Sequence, residues 1–422
     1  GIKVRLAAVW NNLHLEVGRR TDSLLGDENY LQASYSIPFG RGIAPDKPRN
    51  QLPKPVVRDW SMPVYERAET IEEHEMFYIG GASSGAGTLS SPHSSLDELE
   101  DDDRYQASDS PWIYLTGGSS YTGPFELTEN AVLWGEGYEY MGIGGGAYPL
   151  LVNDGSDYLL TLAGNNRVMG LEFDAGDGVA IGLDSPFATS ITIVGNRFLN
   201  GSTAVEAYSF GGLTAVIADN IIGPTYGSSF FNGGILINSG SSFNGFGAIG
   251  LMQASNIDDD PEEIKVSITN NTFQRLSGPG LVLETETDRM DIQIKQNLFQ
   301  QIDNIVVGVS AQSQGQFAFD ANSIKGISGP GVYGAFITEG SVLSFKENQV
   351  FNALYGMIVE VGGNDNQVAV TGNFLGSIEE EGLYAAISGD RNQVAITANA
   401  VSNAGYEGMY VGLEGGELTV DI

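Results

Sequence analysis

From about residue 160 onward, the chain alternates apolar and polar residues in bursts of three to five, broken by Gly and Asn, and shows no helical period. The bursts line up. "VSITNNTFQRL", "IQIKQNLFQQI", "FAFDANSIKGI", "LSFKENQVFNA", "VAVTGNFLGSI" and "VAITANAVSNA" place Asn271, Asn297, Asn322, Asn348, Asn373 and Asn399 in one frame, with successive steps of 26, 25, 26, 25 and 26 residues. "ITIVGNRFL" and "AVIADNIIG" extend the frame to Asn196 and Asn220. The step of 51 from Asn220 to Asn271 predicts a rung disguised around "SSFNGFGAIG", and "VMGLEF" carries the frame back to Leu171 in the asparagine's place. An apolar residue follows each anchor by one or two positions: Phe198, Ile222, Phe273, Phe299, Ile324, Val350, Phe374 and Val401.

Short strands at a period of about 25 residues are one coil of a solenoid, because a lone coil cannot bury its inward side chains and stacked coils can. Leucine-rich repeats would need a Leu-x-x-Leu-x-Leu framework that this chain lacks, and propeller blades need about 40 residues. The pattern resembles the right-handed parallel β-helix of the pectate-lyase-like superfamily, which implies an all-β fold. A residue repeated at one corner of every coil stacks on its neighbours at about 4.8 Å. Side-chain amides carry donors and acceptors together, so the eight asparagines are expected to form a structural ladder.

Before the coils the alternation lengthens. "IKVRLAAVW", "LHLEV" and "YLQASYSIPFG" set Leu, Val, Ile and aromatic residues on one strand face against mostly polar residues on the other, as transmembrane β-barrels and ordinary meanders both do. Six prolines and five basic residues then fill positions 38–63, an extended tether. Strands closing on "SIPFG", followed by "PVVRD" and "PVYERAE", resemble the barrel end and exit linker of inverse autotransporters of the intimin/invasin type. The resemblance implies a parent protein anchored in the bacterial outer membrane that displays the rest of the chain on the cell surface or outside the cell. Here only about three strands precede the linker, and a β-helix takes the place of the immunoglobulin-like modules usual in that family. The expected organisation is barrel-type antiparallel strands over 1–40, a Pro-rich basic linker over 41–75, an N-terminal cap and first coils over 76–160, and regular coils over 161–422.

The cap is legible in "SPHSSLDELEDDD", where Ser95 and Glu98 form a capping box for a short helix carrying Leu96 and Leu99. Such a helix would cover an otherwise open coil edge. At the other end "GGELTVDI" alternates like the strand before an anchor, so the chain is expected to stop within a coil. Starting at Gly1, it reads as a mature product or a fragment, and an exposed last strand would permit head-to-tail self-association or a self-assembling fibre.

Charge sharpens the division. Residues 1–67 hold 10 Lys+Arg against 7 Asp+Glu, whereas residues 68–422 hold 10 against 46, giving the whole chain a net charge of −33. The acidic part repels nucleic acid and anionic membrane. There is no cysteine, which excludes disulfides and Cys-based zinc sites or nucleophiles. Calcium is the one cofactor this acidity makes room for, and no other is implied.

The β-helix fold hosts lyases, glycosidases and inert passengers, so chemistry must come from the residues. The histidines, His14, His74 and His93, all precede the coils, which removes a polygalacturonase-like site. From 161 onward only nine Lys/Arg remain, mostly isolated, which leaves little for a lyase base. A two-carboxylate glycosidase needs only a suitable acid pair. Glu172, Asp174, Asp177 and Asp184 are the candidates. The outward aromatic feature is Tyr333, Tyr384 and Tyr410, each eleven residues after an anchor. Alternation turns them to one outer face, where they suit a glycan or a protein on a host or neighbouring cell. The expected function is a non-enzymatic surface adhesin or interaction module, with a polysaccharide-degrading enzyme as the alternative.

Overall fold

The structure, a computed structural model, describes residues 3–10, 13–22, 26–35, 75–139, 144–185, 187, 189–209, 212–223, 235–239, 263–285, 289–312, 314–417 and 419–421. The chain forms two compact units, Gly1–Glu73 and His74–Ile422. In the first, strands Lys3–Trp10, Leu13–Asp22 and Gly26–Tyr35 make an antiparallel sheet. Lys3 pairs with Arg20, and Leu13 pairs with Tyr35. The rest of the "YLQASYSIPFG" strand and the linker lie outside the described residues.

The second unit is a parallel β-solenoid with about 26 residues per turn and almost no helix. One coil shows the plan. Arg289–Lys295 belongs to a thirteen-stranded sheet (sheet I), Leu298–Ile302 to an eleven-stranded sheet (sheet II), and Val307–Ala311 to a second eleven-stranded sheet (sheet III). From Trp112–Leu115 onward every third strand is a hydrogen-bonded neighbour, so each sheet collects one strand per turn.

The inward columns explain why the sequence folds this way. Two residues after each frame position from Leu171 to Asn373, Phe173, Phe198, Ile222, Phe273, Phe299, Ile324, Val350 and Leu375 are fully buried. They stand in register from rung to rung. Phe273 and Phe299 stack at 4.5 Å with 15° between ring planes, and Phe173 and Phe198 stack at 5.0 Å and 9°. Burying each phenylalanine is worth about 2–3 kcal/mol. One position differs from expectation: Phe374, one residue after its anchor, faces outward at 40% exposure, and Leu375 fills the inward column.

The anchors occupy the corner between sheets I and II. The residue before each one has positive φ, for example Gln296 at 58° and Ala321 at 57°, so the chain turns through a left-handed step that disfavours side chains. The amide behind it secures that turn. Asn297 donates its backbone N–H and its Nδ2 to Asn322 Oδ1 at 3.0 and 3.1 Å, and donates Nδ2 to the Ile268 carbonyl at 2.9 Å. The same bonds run from Asn196 through Asn220, Asn271, Asn297, Asn322, Asn348 and Asn373 to Asn399. Leu171, at the bottom of the frame, offers only its backbone N–H, 3.0 Å from Asn196 Oδ1.

The step of 51 is a correction to the expected rung count. Asn220 bonds Asn271 directly at 3.0 Å, and Leu213–Ala218 pairs with Glu263–Thr269, so no rung intervenes. The strand Ile235–Ser239 supplies sheet III of that single coil. The disguised rung around "SSFNGFGAIG" falls outside the described residues.

At the bottom, helices α1 (Leu96–Glu100) and α2 (Asp103–Ala107) follow the strand Met76–Ile79 and precede Trp112–Leu115. Ser95 accepts from the Glu98 backbone N–H at 3.2 Å, while the Glu98 carboxylate reaches back to the N–H and Oγ of Ser94, both at 2.8 Å. Leu96, Leu99 and Tyr105 are buried in the core, and the Tyr105 ring meets Phe77 edge-on at 5.8 Å. His93 sits beneath them, its Nε2 at 3.1 Å from Asp102. Arg104 bonds the same carboxylate and holds its pKa down at about 2.

Candidate binding face

Sheet III turns alternate residues outward, and its register assembles the tyrosines into a column. Gly308, Tyr333, Ile358, Tyr384 and Tyr410 are consecutive partners across five strands: Val307–Ala311, Pro330–Ile337, Tyr355–Gly362, Leu383–Ser388 and Met409–Glu414. All three tyrosines therefore share one face, with Ile358 interposed. Ile358 is ten residues after Asn348, one fewer than the tyrosine offset, because the corner leading into its strand is one residue shorter.

Tyr384 and Tyr410 stack at 4.9 Å with 10° between their planes. The Tyr410 ring leans along its strand over Gly412, where a side chain's Cβ would come within 3.1 Å of it. Tyr333 donates its hydroxyl to Glu360 at 3.0 Å. Partial burial, and then this carboxylate, push the Tyr333 pKa up.

Beside the tyrosines runs a column of small residues, Ser310, Ala335, Ala386 and Gly412, with Glu360 within it. Beyond that lie Ile337, Ser388 and Glu414. The low middle column and its raised flanks make an open groove of about 450 Å³, which runs across the rungs from Ala335 to Glu414.

Sheet III carries a second cluster lower down that the fixed offset from the anchors does not reach. Tyr208 donates its hydroxyl to Glu206 at 2.6 Å, and Glu206 is only 9% exposed although it lies on the outer face. Burial, and then Glu206, push the Tyr208 pKa upward; burial followed by the charges of Glu206 and Asp184 does the same to Tyr158. The Tyr158 ring crosses the position of Gly182, where a Cβ would stand 2.2 Å from the ring, so any side chain there would have to displace it. Glu206 pairs in register with Gly182, and Tyr208 with Asp184. Glu206 is ten residues after its anchor. Sequence reasoning could have found it by allowing the corner length to vary.

The acidic candidates do not come together as one group. Glu172 and Asp174 lie in the sheet II strand Glu172–Asp174, Asp177 is exposed in the following turn, and Asp184 is on sheet III. Glu172 is 3.8 Å from Arg197, whose guanidinium covers the Tyr148 ring at 4.0 Å, and Asp174 accepts from the Gly176 N–H at 3.3 Å. Among the described residues, no three His, Asp or Glu side chains are grouped so as to hold a metal ion.

A second amide column also escaped the sequence reading. At the corner from sheet III to sheet I, Asn366 Oδ1 accepts from Ser341 N–H and Asn392 Oδ1 accepts from Asn366 N–H, at 3.0 and 2.9 Å. Its signal is the pair "NQVAV" and "NQVAI", 26 residues apart.

The chain matches no known protein family, no curated protein and no solved structure.

Proposed function

We propose that this chain is the displayed part of a bacterial surface protein of the inverse-autotransporter kind and that its solenoid binds an extended ligand, a glycan or a surface protein of another cell, without transforming it. The observation that carries this reading is the groove on sheet III. It is long, open at the sides and walled by stacked tyrosines, a form that receives a chain laid across it. The tyrosines of this sheet recognise ligands by contact and hydrogen bonding. An acidic rod also disfavours nucleic acid as the partner.

The test is an array of glycans and surface proteins probed with the purified chain and with the triple variant Tyr333→Ser, Tyr384→Ser, Tyr410→Ser. Binding by the parent that vanishes in a variant of unchanged circular dichroism supports the reading, and equal binding by both refutes it.

One arrangement favours a second reading as a two-carboxylate glycosidase. Asp184 and Glu206 stand on the same face, on adjacent strands and two positions apart in register, which puts their Cβ atoms about 7–8 Å from one another. Release of reducing sugar that is lost in Glu206→Gln would establish it.

A further inference from the structure

The nine cations of the coils are not distributed evenly around the solenoid. Arg167, Lys265, Arg289, Lys295 and Lys346 belong to sheet I, and Arg197, Arg275 and Lys325 to sheet II. Arg391 sits in a turn, held by Asp365 at 2.6 and 2.7 Å. None of the eleven strands of sheet III contains Lys or Arg. From Val179 onward, the same sheet carries Asp184, Glu206, Glu284, Glu360 and Glu414, all at outward positions. One face is thus purely acidic, and it is the face with the groove and both tyrosine clusters.

We propose that the ligand of this face is a polycationic glycan, a β-linked chain of amino sugars with free, protonated amines. This rests on the reading of sheet III as the binding face and names what that face selects. Three features lead to it. An anionic polysaccharide would meet the carboxylates of Glu360 and Glu414 on strands that carry no Lys or Arg, whereas an ammonium-bearing chain meets its complement. The faces of Tyr384 and Tyr410 are turned toward one another, so an arriving ligand touches hydroxyls and carboxylates more than flat rings, and stacking of a neutral sugar is correspondingly limited. The groove crosses the rungs at about 4.8 Å per rung, close to the advance of one pyranose in an extended β-1,4 chain. Sugars laid along the groove then keep step with the rungs. An extended peptide, at about 3.3 Å per residue, drifts out of step with them.

The proposal is tested by calorimetric titration of the whole chain with four probes of about six units, enough to cross the groove at the rung spacing: oligoglucosamine, its N-acetylated counterpart, oligogalacturonate and oligolysine. Oligoglucosamine is expected to bind best. Glu360→Gln with Glu414→Gln should weaken it about tenfold, the size of two exposed ion pairs, while Asp291→Asn on sheet I should not. At about 1 M salt, where screening acts within about 3 Å, the preference over the N-acetylated chain should collapse.

If the N-acetylated chain, oligogalacturonate or oligolysine binds as tightly and that binding is lost in the triple tyrosine variant, the ligand class is wrong and the face stands. If no probe binds, or binding ignores the tyrosine change, both the class and the face are refuted.

Discussion

The asparagine corner and the outer face of sheet III are made by the same rungs and follow opposite rules. At the corner, the coils repeat one residue, and each amide from Asn196 to Asn373 is buried and bonded to the next coil. On the outer face, the same register brings together Gly308, Tyr333, Ile358 and two further tyrosines, no two neighbours of which are alike until Tyr384 meets Tyr410. Repetition is imposed where a rung can be satisfied only by its neighbour. Variation is permitted where water satisfies it, and that is where a ligand can be recognised.

The sharpest break in the comparison is at the core side of the corner. Phe299→Asp places an unpaired charge between Phe273 and Ile324, all three fully buried, at a cost of several kcal/mol against a total stability of about 5–15 kcal/mol. We expect no soluble folded protein. A variant with unchanged melting would disprove the inward column.

Next in size is Asn322→Leu, which strands the Asn297 backbone N–H and one Nδ2 hydrogen, the other staying on the Ile268 carbonyl. A loss of about 3 kcal/mol in a denaturant titration is expected, and less than about 1 kcal/mol would make the column dispensable.

The cap supplies a smaller, pH-dependent effect. Asp102, only 12% exposed, titrates at about 2 in the folded chain because Arg104 pairs with it, against an ordinary value of 3.8. A depressed carboxyl stabilises above its unfolded pKa, and this contribution is lost as pH falls from about 4 to about 2, amounting to about 2 kcal/mol. Unfolding midpoints of the parent should drop over that interval more steeply than those of Asp102→Asn, and parallel curves would remove Asp102 from the account.

The smallest change in stability is expected on the outer face. The triple tyrosine-to-serine variant should keep its unfolding midpoint to within about 0.5 kcal/mol per site while losing binding. A folding defect there would erase the distinction between corner and face.

The solenoid was readable because its period is enforced at buried positions. Phe273, Phe299 and Ile324 must recur at one offset, since each packs in the core on the side chain one rung away. The cap was readable for a different reason, the local capping chemistry of Ser95 ahead of two leucines. The face was only partly readable. Tyr333, Tyr384 and Tyr410 kept a constant distance from their anchors, whereas Glu206, Tyr208 and Ile358 lie beyond corners of different length. Their alignment depends on hydrogen-bond register between strands, which no spacing in the chain reports. The step of 51 misled for the same reason: period alone does not separate a degenerate rung from extra length at a corner.

The asparagine column has an electrical consequence. In each of its seven side-chain bonds the donor belongs to the earlier coil and the acceptor to the later one, so the amides all point one way along the axis. Hydrogen bonds linked in a chain polarise one another. Backbone dipoles in a sheet largely cancel, but these side-chain dipoles add, as peptide dipoles do along an α-helix. The solenoid is therefore a rod with a net axial dipole built from side chains alone, its positive sense toward the later coils.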